Sequence, residues 1–229
     1  MVRNAIAWDM DSSELITAHK LISYSNIWTD AFGSSRDGFQ KYSRASSPSI
    51  PHVLRDDSLS GNDSYGIVDE NDYGEFFGIA DTVNSDTGND GEPINATWQF
   101  DINGETNLQL RVDVAAIGNF EGPDDSSPMD FFKFTASVDG GDVQELIATE
   151  TDKSVDMTYT LADGSTVEYG DPLKIGNIYL TNNFQTVTAL IDGTGSILTI
   201  TLEAVANGSS EAMAFRNLFV FAEDFGLCN

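Results

Sequence analysis

Apolar and polar side chains alternate along two segments that lie far apart in the chain, residues 107–114 and 197–203. A period of two is typical of a β-strand with one face buried and the other exposed. Each strand therefore presents an apolar face that needs a partner sheet, and the pattern predicts a β-sandwich. The apolar positions are Leu108, Leu110, Val112 and Val114 in the first segment and Leu198, Ile200 and Leu202 in the second.

Turn sequences separate several further strand-like segments. Asn103-Gly104, Asp139-Gly140-Gly141 and Asp163-Gly164 are typical of tight β-hairpin turns. They predict three hairpins, which join 97–102 to 107–115, 131–138 to 143–148, and 155–161 to 166–169. Other strands are predicted at 65–68, 75–80, 178–180, 184–191 and 213–221. About ten to twelve strands with regular turns indicate an all-β fold, an antiparallel β-sandwich of the jelly-roll type, over residues 61–229.

The first 60 residues have a different character. Residues 4–28 are the one region where apolar spacing and a cap-like Asp11 favour a helix, although Tyr24, Ile27 and Trp28 suit an edge strand equally well. Residues 30–60 are rich in Ser, Gly and Asp. We therefore expect residues 1–60 to form an irregular N-terminal arm that packs on the sandwich or on a neighbouring copy.

The charge distribution limits the possible partners. The net charge is −26, and residues beyond 55 carry 5 basic against 32 acidic side chains. Such a surface repels phosphate backbones and anionic membranes, so neither nucleic acid binding nor membrane insertion is expected. It attracts cations.

The scarcity of His and Cys argues against several kinds of catalysis. The chain has two histidines, His19 and His52, and one cysteine, Cys228. Both histidines precede the predicted sandwich, so no base is expected beside a nucleophile, and a zinc site would lack ligands. A glycosidase pair of carboxylates is the enzyme alternative, with Glu75, Asp113, Glu121 and Glu211 as candidates.

Acidic loops at strand ends favour calcium, which binds six to eight oxygen atoms. The sequence suggests three places: Asp81 with the acidic loop that follows it, Asp113 with Glu121 and the loop to Asp130, and Glu211 before the last strand. A structural calcium ion is therefore expected, with Asp81, Asp113, Glu121, Asp130 and Glu211 as candidate ligands.

Aromatic residues could instead serve as platforms for sugar rings. The candidates are Trp8, Trp28, Tyr65, Tyr73, Phe76 and Phe77. Strand spacing gives the competing interpretation, in which aromatic residues fill the core: Phe76, Phe77, Trp98, Phe132, Phe134, Phe215, Phe219 and Phe221. Trp98 is assigned to the core.

Five segments resemble a family of jelly-roll domains found in large secreted bacterial proteins, many of them marine. They are residues 30–40 (DAFGSSRDGFQ), 75–84 (EFFGIADTVN), 98–102 (WQFDI), 112–121 (VDVAAIGNFE) and 210–218 (SEAMAFRNL). The resemblance implies a jelly roll similar to carbohydrate-binding modules and an extracellular location, but no established activity. By analogy with carbohydrate-binding jelly rolls, it implies a structural calcium near Glu211 and Asn217, with Arg216 in place of the usual aspartate.

Together these observations predict a non-catalytic, secreted, calcium-stabilised jelly-roll module for adhesion or glycan binding. The opening residues lack the apolar region of a signal peptide, so the chain is expected either not to be secreted or to be a mature fragment with an added start methionine, and the resemblance favours the second. A self-assembling subunit of an extracellular filament or layer, in which the N-terminal arm completes a neighbour's sheet, is the first alternative. A polysaccharide hydrolase or lyase is the second.

Overall fold

The computed structural model describes residues 4–10, 20–26, 38–43, 75–83, 88–125, 128–160, 164–207 and 211–222. All regular structure in these residues is β-strand. No helix long and apolar enough to cross a membrane occurs among them. The strands are β1 (Asn4–Asp9), β2 (Leu21–Asn26), β3 (Gly38–Ser43), β4 (Glu75–Ala80), β5 (Ile94–Asp101), β6 (Leu108–Ile117), β7 (Phe131–Val138), β8 (Gln144–Ala148), β9 (Glu150–Thr151), β10 (Asp156–Thr160), β11 (Thr166–Gly170), β12 (Leu173–Ile175), β13 (Ile178–Tyr179), β14 (Gln185–Ile191), β15 (Ile197–Val205) and β16 (Ala212–Ala222).

Two antiparallel sheets carry most of these strands. The first sheet has the order β14-β6-β16-β4-β3, and β1 also pairs with β16. The second has the order β2-β5-β15-β7-β8. The two strands with the cleanest alternation, β6 and β15, lie in opposite sheets, and one apolar cluster joins the two inner faces. The predicted antiparallel jelly-roll β-sandwich is confirmed.

An aromatic cluster fills the centre of the core. Trp98 of the second sheet contacts Phe77 and Phe215 of the first, with ring centroids 5.6 and 5.7 Å apart. Phe134 meets Phe215 edge-on at 4.9 Å. Edge-to-face pairs add about 0.5–1.5 kcal/mol each beyond the area they bury. The assignment of Trp98 to the core is therefore confirmed, and the indole ring joins the two sheets.

Two of the three predicted hairpins are present, and one is wrong. β7 pairs with β8, and β10 pairs with β11. The strands on either side of Asn103-Gly104, however, do not pair with each other, because β5 pairs with β15 and β2 while β6 pairs with β14 and β16. This turn crosses from one sheet to the other, and backbone bonds from Asn103 and Gly104 to Ser196 and Gly195 hold it. Crossing lets both strands direct their apolar faces into the same core.

The helix expected within residues 4–28 is absent from residues 4–10 and 20–26, the part of this range that the structure describes, whereas residues 11–19, which include its expected cap, lie outside the described residues. Residues 4–9 and 21–26 are strands, and β3 is a third strand within the predicted arm. These segments pair with β16, β5 and β4 of the same chain, so they are integral to the two sheets and not an irregular covering. The strand predicted at 65–68 and both histidines lie outside the described residues.

A separate hairpin covers part of the outer face of the first sheet. Tyr159 of β10 is buried in a second apolar cluster with Ala115, Ile117 and Ala214 of the sheet below. Met157, Val167 and Tyr169 pack against the same cluster. This cover explains why alternation ends at the last residues of β6, where Ala115, Ala116 and Ile117 are all buried.

β16 has strand neighbours on both of its edges. One edge pairs with β6, while the other pairs first with β4 and then with β1. The change of partner coincides with a bulge at Asn217, whose φ of 54° lies in the left-handed region that Asn tolerates. The backbone N–H of Asn217 donates to the carbonyl of Met10 at 2.9 Å.

Candidate metal centre

Three of the predicted calcium ligands meet at one point of the sandwich rim. Glu121, Asp130 and Glu211 each offer a carboxylate oxygen, and these oxygens lie within 4.8 Å of one another. Glu121 follows β6, Asp130 immediately precedes β7, and Glu211 immediately precedes β16. The cluster therefore joins loops from both sheets.

Backbone amides fix the orientation of the carboxylates. The N–H of Glu121 donates to Asp130 Oδ2 at 2.7 Å, and the N–H of Asn207 donates to Asp130 Oδ1 at 3.0 Å and to Glu211 Oε1 at 3.1 Å. Asn207 is held in turn by its side chain, which donates to the carbonyl of Pro128 at 3.0 Å. Such preorganisation keeps three carboxyl groups together that would repel one another if all were ionised.

Burial makes the cluster electrostatically costly. Asp130 is 1% exposed and Glu211 is 2% exposed. Burial, followed by the adjacent side chain of Glu121 and the charge of Glu211, raises the pKa of Asp130 to about 10. None of the described lysines or arginines forms an ion pair with Glu121 or Asp130. The raised pKa means that Asp130 keeps a proton at neutral pH, and a cation bound beside it would offset the same repulsion.

One oxygen of the cluster has no hydrogen-bond partner. Oε2 of Glu121 is buried and accepts no hydrogen bond. A buried acceptor without a donor normally costs about 1–3 kcal/mol, and a charged one costs more. This orphaned oxygen and an all-oxygen set of donors fit a hard cation such as Ca²⁺.

The other two candidate ligands lie apart from the cluster. Asp113 is on the outer face of β6, where it accepts hydrogen bonds from Thr186 Oγ1 at 2.6 Å and Asn217 Nδ2 at 2.7 Å. Asp81 ends β4 with a φ of 44°, is 8% exposed, and does not belong to the three-carboxylate group. From the sequence, Glu121 was expected to share a calcium site with Asp113 and the loop to Asp130, and Glu211 was expected to belong to a separate site. In the fold, Glu121 and Asp130 lie beside Glu211 and not beside Asp113.

Loop side chains near Asp81 and Asp130 have structural roles. Asn89 donates to the carbonyls of Thr82 and Glu92 at 2.6 and 3.1 Å, which holds the loop after β4. Asp125 accepts a hydrogen bond from Lys153 at 2.5 Å, and this interaction lowers the pKa of Asp125.

The aromatic residues considered as sugar platforms are not available on the surface where the structure describes them. Trp8, Phe76 and Phe77 are 6%, 1% and 0% exposed. Trp28, Tyr65 and Tyr73 lie outside the described residues. Phe219, assigned to the core from the sequence, is buried at 8% exposure, and Phe221 is partly exposed. Both pair with residues of the outer face of the first sheet, Arg111 and Gln109, and lie outside the two apolar clusters. The bulge at Asn217 reverses the expected facing, because it shifts the register between Arg216 and Phe219.

No protein-family model matches this chain, and no curated protein matches it. Among solved structures it is similar to a family 61 carbohydrate-binding module in complex with β-1,4-galactotriose, at 9% identity and a TM-score of 0.31, covering 67% of this chain and 74% of that one. It is also similar to the paired family 22 module and family 10 hydrolase of a Clostridium thermocellum xylanase, complexed with xylohexaose, at 7% identity and a TM-score of 0.30, covering 91% of this chain and 29% of that one. A third is a family 22 xylan-binding domain from Paenibacillus barcinonensis, at 8% identity and a TM-score of 0.27, covering 91% and 97%. At these values the comparisons assign neither a family nor a ligand to this chain.

Proposed function

We propose that this chain is a non-catalytic extracellular β-sandwich module that binds a glycan, and that a calcium ion stabilises it. The observation that carries the proposal is the cluster of Glu121, Asp130 and Glu211, in which Asp130 and Glu211 are buried and one oxygen of each residue lies within 4.8 Å of the others. A cation held there would link the loop after β6 to the residues that begin β7 and β16.

Calcium fits this cluster better than other common ions. All side-chain donors are oxygens, which excludes the usual nitrogen and sulfur ligands of zinc. Calcium also accepts irregular sets of six to eight oxygens, so backbone carbonyls of the same loops and water can complete its coordination. Burial, and then repulsion among the three carboxyl groups, raises the pKa of Asp130, and the positive charge of the ion would offset that repulsion.

The same geometry argues against catalysis by these acids. The two carboxyl groups of a glycosidase are about 5–10 Å apart and flank an open groove. Asp130 and Glu211 are 1% and 2% exposed, so neither carboxyl group faces an open groove. We therefore assign the cluster a structural role.

The N-terminal strands favour a module over a polymer subunit. β1, β2 and β3 pair with β16, β5 and β4 of their own chain. No described N-terminal strand therefore needs a neighbouring copy to complete its pairing. A glycan is proposed as ligand because the outer face of the first sheet combines exposed polar side chains with apolar ones, as sugar binding requires.

Direct calcium binding tests the proposal. Protein stripped of metal with EDTA is dialysed against ⁴⁵Ca²⁺, and we expect saturable binding of one ion per chain. Glu211→Gln should weaken binding at least about tenfold, because one anionic ligand is removed at little change in shape. Glu203→Gln is the matched control, since Glu203 pairs with Lys133 at 2.8 Å on the second sheet. Absence of saturable binding in the wild type would overturn the proposal, as would equal binding by both variants.

A further inference from the structure

A cleft opens at the end of the first sheet where β14 meets β6. Its volume is about 440 Å³, which lies within the range of about 300–1,000 Å³ typical of ligand sites. Its lining combines polar side chains with three large apolar ones, Leu108, Leu190 and Ile191, of which Leu190 is the exposed one. The lining includes Thr106, Asn107, Gln109, Leu190, Asp192 and Thr194.

The strand register continues this cleft into a surface on the outer face of the sheet. Leu190 pairs with Gln109, and Thr188 pairs with Arg111. Directly paired residues of an antiparallel sheet lie on the same face. The cleft therefore continues along β14 and β6 as two adjacent rows, which we call the outer cleft.

Arg111 is an unusual residue for this protein. Each of the five described lysines forms an ion pair with a carboxylate. Arg111 is exposed, and within the part of the chain that the structure describes its side chain forms neither an ion pair nor a hydrogen bond, although the sequence has 37 acidic residues. A guanidinium with five donors is therefore available to a ligand that extends from the cleft along these two rows.

Leu190 supplies an exposed apolar surface beside these polar groups. Its side chain is 73% exposed, the most among the large hydrophobic residues that the structure describes. A sugar ring presents a C–H face that packs on apolar side chains and hydroxyl groups that bond to polar ones. Leu190 can pack against the C–H face, while Arg111 and Thr188 can form hydrogen bonds to the hydroxyl groups.

We infer that the outer cleft is the binding site for a neutral polysaccharide chain. The inference rests on the proposed glycan-binding function and gives it a site and a ligand class. Neutral chains are favoured over polyanionic ones because Asp113 and Asp192 lie on or beside the same face and the whole chain carries a charge of −26. Arg111 would then bond to hydroxyl groups and not to carboxylates.

The test is affinity electrophoresis of the full chain in gels that contain one soluble polymer each. The neutral polymers are xylan, β-1,4-galactan and mixed-linkage β-glucan, and the anionic ones are alginate and polygalacturonate. The variants are Arg111→Ala and Leu190→Ala. Lys133→Ala removes one positive charge from the second sheet, and Ile22→Ala truncates a side chain that is 54% exposed on β2, so these two serve as matched controls.

We expect at least one neutral polymer to retard the wild type. Arg111→Ala and Leu190→Ala should each weaken that retardation about five- to tenfold, the range for residues central to a binding site, while both controls stay within about twofold of wild type. Melting temperatures are measured in parallel, and unchanged values in both variants show that any loss is local.

The outcomes separate the inference from the proposed function. If a neutral polymer retards Arg111→Ala and Leu190→Ala as strongly as the wild type, the outer cleft is not the binding site, although the protein still binds a glycan. Retardation by alginate or polygalacturonate alone would overturn the neutral ligand class. Absence of retardation by every polymer would overturn glycan binding itself, together with the cleft.

Discussion

The carboxylate cluster predicts an unusual dependence of stability on pH when calcium is removed. The folded chain keeps the proton of Asp130 up to a pKa of about 10, whereas an unfolded aspartate loses its proton above about pH 4. Between these values the folded state binds one proton more than the unfolded state. The free energy of unfolding therefore falls as pH rises, by about 1.4 kcal/mol per pH unit.

This slope is large enough to measure by thermal unfolding. From pH 6 to pH 8 in EDTA the loss is roughly 2.7 kcal/mol. A chain of 229 residues shifts its melting temperature by about 2–4 °C per kcal/mol, so we expect a decrease of about 5–10 °C. With excess calcium the ion replaces the proton, and the decrease should disappear.

Asp130→Asn is the informative variant because an amide keeps the shape of the side chain but does not ionise. Differential scanning calorimetry in EDTA at pH 6 and pH 8 should show a smaller decrease for the variant than for the wild type. Glu203→Gln, outside the cluster, should behave like the wild type. Equal slopes for wild type and Asp130→Asn in EDTA would refute the reasoning, since the proton would then reside elsewhere.

Two further predictions concern other buried polar groups. Asp9→Ala should lower the free energy of unfolding, measured in urea, by about 3 kcal/mol. The substitution leaves the indole N–H of Trp98, which donates to Asp9 at 2.6 Å, without an acceptor, and it leaves Lys41 without its ion pair. A loss below about 0.5 kcal/mol would contradict this prediction. Tyr159→Phe should leave the free energy of unfolding unchanged or raise it by up to about 1 kcal/mol in the same assay. The Tyr159 hydroxyl is buried without a hydrogen-bond partner, and burial raises its pKa to about 12. A clear decrease in the free energy of unfolding would show that the hydroxyl has a hydrogen-bond partner in solution.

Much of the fold could be predicted from the sequence because a half-buried strand must alternate. Leu110 and Leu198 are fully buried, as expected. The turn at Asp139 and Gly140 also behaves as expected, with φ values of 49° and 70°. Local signals of this kind depend on neighbouring residues alone, so they survive in the folded chain.

Strand partners were harder to predict because they depend on distant residues. Asn103-Gly104 makes a tight turn in either case, and the turn sequence does not specify whether the chain returns along the same sheet or crosses to the other. The N-terminal strands were missed for a similar reason. Ala7 pairs with Val220 at the other end of the chain, and no short-range pattern reports such a pairing.

The candidate metal centre shows the same division. The residue types indicated oxygen ligands for a hard cation, and Glu121, Asp130 and Glu211 do meet. Asp113 could not be separated from them by sequence, because its partner Asn217 lies 104 residues away and reaches it only through the bulge in β16. Calcium occupancy itself stays a prediction.

The position of β16 has a consequence for how the protein is made. β16 spans Ala212–Ala222 and yet pairs with β6, β4 and β1, so the first sheet cannot assemble until the residues through Ala222 have left the ribosome. β15, the middle strand of the second sheet, is also synthesised late. Pairings between residues so distant in sequence form slowly, and until they form the earlier strands expose unpaired edges that other chains can join. We therefore expect nascent chains truncated before β15 to require chaperones, and refolding of the full chain to be slow.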